Sequence, residues 1–244
     1  MLHDGHQAWV VDPGDAAPVR AALASQGLQL QGILITHHHG DHTGGVATLC
    51  EDWPQAQVFA PAQEHLRVDH QAMRQDDVVE VLGCALRVID VPGHTSGHIA
   101  YFGTPAGQTP LLFCGDTLFF GGCGRVFEGT PAQMWHSLSQ LAALPGDTRV
   151  CCAHEYTLAN LRFALAVEPD NAALQATMAH CQGLREAQQA TVPSDIATEL
   201  AINPFLRCSE PQVVRAAQSR DAAVAGDKPA AVFAVLREWK NNFR

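Results

Sequence analysis

Four histidines and one aspartate lie within residues 36–42, in the order Thr-His-His-His-Gly-Asp-His. Imidazole is a good ligand for zinc and iron, and a nearby carboxylate favours a hard, hydrolytic metal centre over an electron-transfer one. The apolar, branched run at residues 32–35 predicts a buried strand that ends at this segment. Because side chains alternate along an extended chain, we expect His37, His39 and Asp41 to face one way and His38 the other.

The elements around this segment repeat one arrangement. Apolar runs that read as strands end at a metal-capable residue four times, before His37 and at His94, Asp116 and His154. Open α/β sheets place their ligands at the carboxyl ends of strands. We therefore expect the strands of one sheet to deliver all four groups to one edge. An isolated pair of histidines usually has no functional role, but metal-capable residues at four strand ends predict a metal site.

Composition excludes several classes of protein. The chain has 244 residues, 47% of them hydrophobic, which suffices for one large core or for a core with a smaller appended domain. With 15 Lys and Arg against 25 Asp and Glu the net charge is −10, so nucleic acid is not an expected partner. The sequence shows no apolar run near 18 residues and no signal peptide at Met1, so no membrane partner is expected. The eight cysteines form no Cys-x-x-Cys pair, which favours reduced thiols in a cytoplasm, and we expect a monomer.

The local patterns predict two parts. Strands and helices alternate up to His154, with one helix over residues 43–53, a hairpin over residues 78–89 and a loop over residues 121–124. After His154 we expect helices only, one of them capped by Ser194. The sequence therefore predicts an α/β catalytic domain at residues 1–154 and a helical domain at residues 155–244.

The complete pattern resembles a known superfamily. The segment at residues 36–42, then Gly93-His94-Thr95, Gly115-Asp116 and His154, is similar to the motifs of the metallo-β-lactamase superfamily. That resemblance implies an αββα sandwich with a two-metal site between the sheet edges. One metal would take His37, His39 and His94, and the other Asp41, His42 and His154. Asp116 would bridge them, while His38 and His98 match no ligand, and His98 is expected to pack.

Further motifs resemble one family within it, the glyoxalase II or hydroxyacylglutathione hydrolase family. They are residues 113–119, 121–125, 127–130, 152–157 and 203–207, with Arg237-x-x-Lys240 near the end. The likeness covers nearly the whole chain, including the helical tail. It implies hydrolysis of a glutathione thioester, with two divalent metals, usually zinc, although iron and manganese occur. The implied catalytic residues are Asp41 and Asp116, and the implied glutathione contacts are Arg125, Phe127, Tyr156, Arg237 and Lys240.

The sequence departs from the family at two places. Phe127 stands where some relatives have tyrosine and offers no hydroxyl. Family members usually have another strand, with an Asn-Tyr pair, before the segment that matches residues 7–15, whereas Met1 here falls inside the first hairpin. Either that strand is encoded upstream or this protein does without it.

Three alternatives stay open at this point. A persulfide dioxygenase with one iron and a lactonase would use the same fold, and a metal-binding module would lack catalysis. Arg237 and Lys240 in the helical tail favour the hydrolase over the first two, and the complete ligand set disfavours the third. A Ser-His-Asp hydrolase is disfavoured because the sequence contains no Gly-x-Ser-x-Gly elbow.

Overall fold

A computed structural model describes residues 1–243, and the chain divides into two compact units. The first unit comprises Met1–Asp90 and Ser96–Gln108. The second comprises Val91–Thr95 and the described residues from Thr109 onward. Within the described residues, no helix is both long enough and apolar enough to cross a bilayer.

The first unit is built on a five-stranded sheet that carries the histidine-rich segment. Its strands lie in the order β1-β2-β3-β4-β5, with β1 antiparallel to β2 and the other neighbours parallel. Apolar side chains of β3 and β4 pack with those of the helices, among them Leu23, Ile33, Leu49 and Val58. The elements are β1 (Leu2–His3), β2 (Gln7–Val11), α1 (Ala16–Gln26), β3 (Gln29–Leu34), α2 (Gly40–Thr43), α3 (Val46–Asp52), β4 (Gln57–Pro61) and β5 (Gln71–Met73).

An antiparallel meander completes the first unit. It consists of β6 (Val78–Val81), β7 (Cys84–Asp90) and β8 (Ile99–Gly103), and the first two form the predicted hairpin. Tyr101 on β8 is fully buried, and its Oη donates to the carbonyls of Ile35 at 3.0 Å and Phe59 at 3.3 Å. The meander is thereby joined to the parallel sheet. The strand before His37 and the strand before His94 thus lie in different sheets, so the expectation of one shared sheet is wrong.

The helix predicted over residues 43–53 is shorter than expected, because only α3 (Val46–Asp52) is one continuous helix. Gly44 and Gly45 separate α3 from the short helix α2, which ends at Thr43. The amide of Gly45 donates to the carbonyl of Pro13 at 2.9 Å, and a Cβ at Gly45 would lie 2.6 Å from the nitrogen of Ala16. The loop after β2 therefore occupies the place that a continuous helix would need. The sequence reading also leaves β5 unassigned, because its three residues are flanked by polar ones and have too little pattern to show a strand.

The second unit combines three short strands, a hairpin and six helices in its described part. Strand β9 is parallel to β12, and β12 is antiparallel to β13, while β10 and β11 form the hairpin. The elements are β9 (Leu111–Phe113), β10 (Leu118–Phe119), β11 (Gly122–Cys123), α4 (Pro131–Ala142), β12 (Arg149–Cys151), α5 (Thr157–Val167), α6 (Ala172–Glu186), β13 (Ser194–Asp195), α7 (Ile196–Ile202), α8 (Pro211–Gln218) and α9 (Pro229–Asn241).

Three expectations about the second unit are corrected. A strand does occur after His154, because Ser194–Asp195 pairs with β12. The glycine-rich segment at residues 121–124 is not only a loop, since Gly122–Cys123 pairs with β10. Helix α7 is capped by Asp195, whose carboxylate accepts from the amide of Thr198 at 2.7 Å, and not by Ser194. Two-residue strands carry too little sequence pattern to be predicted.

Glu199 on α7 ties the helical tail to the hairpin. Its carboxylate is fully buried and accepts from the amide of Gly121 at 3.0 Å, the hydroxyl of Ser194 at 2.5 Å and the side-chain amide of Asn203 at 2.9 Å. Burial raises the pKa of Glu199 to about 7, and the hydrogen bonds from Ser194 and Asn203 oppose that rise. The hairpin is therefore held by a carboxyl group that titrates near neutral pH.

Because of Glu199, we expect the free energy of unfolding to decrease as the pH rises. Its pKa of about 7 in the folded protein exceeds the ordinary 4.5, so the folded state binds the proton more tightly. That stabilisation is fully present below about pH 4.5 and is lost as the pH rises through about 7. We expect melting temperatures from pH 5 to pH 8 to fall more steeply in the wild type than in Glu199→Gln. Glu186→Gln, an exposed change in the same tail, is the control, and equal slopes in all three proteins would contradict the expectation.

Candidate active site

The histidine-rich segment of the first unit follows β3 directly. His37 and His42 are buried, and their ring centroids lie 4.1 Å apart. Nε2 of His37 faces Nδ1 of His39 at 3.1 Å. The predicted alternation is confirmed for His38, whose ring Nδ1 instead contacts the carboxylate of Glu64. Two imidazoles therefore converge on one point, while the ring between them binds Glu64 and still offers a ligand atom within 4.8 Å of that of His39.

Asp12, at the end of β2, holds this segment in place. Its carboxylate accepts from the amide of Thr36 at 2.8 Å and from the Thr36 hydroxyl at 2.7 Å. The same carboxylate lies 3.0 Å from Nδ1 of His42. A carboxylate on one ring nitrogen fixes the tautomer, so Nδ1 of His42 donates and Nε2 is left to bind a metal. Asp12, His37 and His42 also offer ligand atoms within 4.8 Å of one another.

Two further residues, Asp41 and His98, lie beside these histidines. Asp41 has a largely exposed side chain, and its Oδ2 lies 3.9 Å from Nε2 of His42. His98 is buried and stacks on His37 with ring centroids 4.6 Å apart, which agrees with the expectation that it packs. Asp41 is thus the carboxylate of the segment that solvent reaches.

In the second unit Asp116 lies between two histidines. Its Oδ2 is 3.4 Å from Nε2 of His94, and its Oδ1 is 3.4 Å from Nε2 of His154. Nδ1 of His94 faces the carbonyl of Arg125 at 2.8 Å, so it donates and leaves Nε2 for a ligand bond. One carboxylate oxygen for each histidine is the arrangement that a bridging aspartate needs.

The donor chemistry fits divalent metals. Imidazole nitrogens with their opposite ring nitrogens engaged, together with two carboxylates, match the ligands of two-metal hydrolases. As a donor set these side chains are compatible with a binuclear site. They are His37, His39, Asp41, His42, His94, Asp116 and His154.

Two exposed aromatic residues flank the histidines of the second unit. Tyr156 is 50% exposed, and its ring stacks on His154 with centroids 5.0 Å apart. Phe127 is 61% exposed and packs edge-on against His94 at 5.2 Å. Large exposed aromatic rings beside metal-capable histidines offer apolar contact to a ligand. Arg125, also exposed, lies two residues before Phe127.

The two cations of α9 have different surroundings. Arg237 is buried, and its Nη1 donates to the carbonyl of Cys123 at 2.9 Å, while its Nε donates to Asn241 at 3.1 Å. Its guanidinium therefore supports the β10–β11 hairpin. Lys240 is partly exposed, and its Nζ donates to the carbonyl of Ala159 on α5 at 2.9 Å.

Sequence reasoning missed one cation near Lys240. Burial lowers the pKa of Lys240 to about 8, and the positive charges of Arg237, Arg162 and Arg125 lower it further. Arg162 is exposed on α5, three residues after Ala159, so it lies on the helix face that Lys240 contacts. Three of these four cations, Arg125, Arg162 and Lys240, are exposed or partly exposed, so they offer positive charge to an anion in a protein of net charge −10. The nearness of Ala159 to Lys240 is tertiary, so the sequence carried no signal for Arg162.

Comparison with known families identifies the class. The metallo-β-lactamase superfamily model matches residues 1–154, and the chain belongs to that superfamily. The crystal structure of the B3 metallo-β-lactamase BLEG-1 is similar in fold, with a TM-score of 0.60 and 21% identity over 84% of this chain and 91% of that one. TTHA1623 in a di-iron-bound form is 30% identical, with a TM-score of 0.50, over 59% of this chain and 80% of that one.

The C-terminal part of the chain identifies a narrower family within that superfamily. A model described as the hydroxyacylglutathione hydrolase C-terminus matches residues 155–243. The hydroxyacylglutathione hydrolase of Cupriavidus taiwanensis is 57% identical over 251 aligned residues, which cover 100% of this chain and 94% of that protein. The chain is a member of the hydroxyacylglutathione hydrolases, the thioester hydrolases also called glyoxalase II.

Proposed function

We propose that this protein hydrolyses S-(2-hydroxyacyl)glutathione, with S-lactoylglutathione as its substrate, to glutathione and D-lactate. This is the second step of methylglyoxal detoxification. The observation that carries the proposal is the identity of 57% over the whole chain with a hydroxyacylglutathione hydrolase. The carboxylate of Asp116 between His94 and His154, and the cations near Lys240, support it.

The metal assignment follows the family motifs. His37, His39 and His94 would hold one ion, Asp41, His42 and His154 the other, and Asp116 would bridge them. Zinc is our first choice, and iron is supported by the di-iron form of TTHA1623, with manganese as a third candidate. When bound, two divalent ions lower the pKa of water toward about 7 and stabilise negative charge on the thioester oxygen.

The chain itself orients the reactants. Asp41, a carboxylate open to solvent beside His42, can accept a hydrogen bond from the attacking water. A thiol has an ordinary pKa of about 8.5, so thiolate is a weak enough base to leave from the tetrahedral carbon and take a proton from water afterwards. A thiolate needs no proton on departure, and therefore no dedicated general acid is required.

Cations and aromatic rings of the second unit would bind the glutathione part. Its two carboxylates suit the group formed by Arg125, Arg162 and Lys240, since guanidinium and ammonium groups form charge-assisted hydrogen bonds to carboxylates. Tyr156 can donate its hydroxyl, whereas Phe127 offers apolar contact only. Arg237 would act on the same surface through the hairpin that it supports.

Lys240 should make substrate binding depend on pH. With a pKa of about 8 it is charged below that pH and neutral above it. We expect KM for S-lactoylglutathione to rise as the pH passes from 7 to 9, because the ammonium loses its charge. Steady-state kinetics across this range should show the rise in the wild type and a flatter profile in Lys240→Met. An equally steep rise in the variant would assign the pH effect to another group.

The deciding experiment measures turnover and metal content on one sample. Hydrolysis of S-lactoylglutathione with two ions per chain supports the proposal. Oxygen uptake with a persulfide and one iron per chain would point to a persulfide dioxygenase, and cleavage of lactones alone to a lactonase. Two bound ions without hydrolysis of either ester class would indicate a module without catalysis.

We also propose a two-domain, monomeric, cytoplasmic enzyme with residues 1–154 for catalysis and residues 155–244 for glutathione. All eight cysteines are free thiols, as expected in a reducing compartment. Glutathione itself is among the agents that keep thiols reduced in the cytosol. Light scattering at several protein concentrations tests the monomeric state.

A further inference from the structure

Glu64 is a buried carboxylate that the proposed chemistry does not use. Its side chain is 1% exposed, and it follows β4 in a turn whose amide at Ala62 donates to Met73 of β5 at 2.8 Å. Burying a carboxylate is costly unless donors surround it. The groups that donate hydrogen bonds to Glu64 therefore indicate which part of the structure this carboxylate stabilises.

The donors of Glu64 come from two loops of the first unit. Oε2 accepts from the amide of His38 at 2.7 Å and also contacts the His38 ring at Nδ1. Oε1 accepts from the amide of Gly97 at 3.0 Å. A Cβ at Gly97 would lie only 2.7 Å from Cγ of Glu64, so the close approach requires glycine at this position.

Both anchored residues stand next to groups that surround the metal-capable histidines. His38 lies between His37 and His39 in the chain, so fixing its amide and its ring fixes the backbone that presents both neighbours. Gly97 precedes His98, whose ring stacks on His37 at 4.6 Å. The amide of Ile99 also donates to the carbonyl of Thr36 at 3.0 Å, which fastens the two loops at a second point.

We propose that Glu64 is a positioning residue that fixes the backbone of residues 37–39 and so presents His37 and His39 to the metal. This inference rests on the proposed function. Glu64 acts through His38, because its carboxylate binds both the amide and the ring Nδ1 of that residue. Glu64 itself is not among the proposed ligands.

Glu64→Gln separates this role from simple support of the fold. A glutamine has one acceptor oxygen, so it can serve His38 or Gly97 but not both. We expect metal binding, measured by competition with a chelator, to weaken about 10–100-fold, because that is the usual cost of losing a partner that orients a ligand. The kcat on S-lactoylglutathione should fall, while KM stays near the wild-type value, because the glutathione contacts are untouched. Glu80→Gln, an exposed change on β6, should match the wild type in every measurement.

Two further variants make the result decisive. Glu64→Ala removes both anchors and should weaken metal binding more than Glu64→Gln, whereas His38→Ala keeps the backbone anchor and should weaken it less. The melting temperature of the metal-free proteins shows whether each variant folds, and if Glu64→Ala does not, Glu64→Gln decides. Wild-type metal affinity in Glu64→Gln would overturn the inference. If the wild type itself binds no pair of metals or leaves S-lactoylglutathione intact, the proposed function fails instead.

Discussion

Asp116→Asn should abolish the paired metal site and nearly all turnover. The two oxygens of Asp116 face Nε2 of His94 and Nε2 of His154 at 3.4 Å each, so each oxygen serves one histidine. An asparagine replaces one oxygen with an amide nitrogen, which donates hydrogen bonds and does not bind cations. We expect weaker binding of both ions and a fall in kcat of at least roughly 1,000-fold, since metal stabilisation is worth several kcal/mol and about 1.4 kcal/mol is tenfold.

Metal analysis after dialysis against a weak chelator, together with kcat from the same preparation, measures this effect. Asp147→Asn is the control because Asp147 is exposed in the turn before β12 and is not among the proposed ligands. Two tightly held ions and normal turnover in Asp116→Asn would exclude a bridging role for this carboxylate.

Lys240→Met should raise KM for S-lactoylglutathione about 10–100-fold with a smaller change in kcat. Losing one charge-assisted hydrogen bond costs about 1.5–3 kcal/mol, and an effect on KM alone indicates lost binding of the substrate's unreacting part. Methionine keeps the unbranched chain that packs beside α5 and removes the charge together with the hydrogen bond from Nζ to Ala159. The comparison uses a second, short thioester that lacks the peptide. On that substrate Lys240→Met should behave as the wild type.

Lys228→Met is the matched control, because Lys228 is the only other lysine and is exposed at the start of the same helix. Arg237→Met should behave differently from Lys240→Met. Arg237 is buried and holds the carbonyl of Cys123, so its loss should lower the melting temperature as well as raise KM, also by about 10–100-fold if it acts on the glutathione surface. Equal losses on both thioesters in Lys240→Met would show that the tail is structural support, and the glutathione assignment would fail.

The residues that could be predicted from sequence are those with a dense local signal. Four histidines and an aspartate within residues 36–42 show their chemistry without a structure. Helices α1 and α4 likewise begin at residues that favour helix N-termini, Asp15 and Thr130. The partners of the histidines carry no such signal. Asp12 and Glu64 lie 24 and 26 residues from the groups they bind, and each is a single carboxylate among many. Only folding shows which carboxylates are buried.

The secondary-structure predictions were wrong where tertiary contacts outweigh local preference. The helix after the histidine segment is interrupted because the backbone around Pro13 needs the space at Gly45. The strand Ser194–Asp195 exists because β12 offers it an edge, not because two residues form a strand by themselves. The expected role of residues 155–244 came from the family resemblance alone. No pattern within these residues indicated which strands or loops they contact.

The pairing of β13 with β12 affects how the protein unfolds. Strand β13 pairs with β12, and β12 leads directly to His154, so the tail and a strand that presents a metal-capable histidine share backbone hydrogen bonds. Elements joined in one ladder tend to unfold as one cooperative unit. Loss of the residues after His154 would leave the edge of β12 unpaired, and unpaired edges invite self-association. The tail therefore covers an edge that would otherwise be unpaired, in addition to carrying two of the proposed glutathione contacts, and a gene shortened at that point loses both.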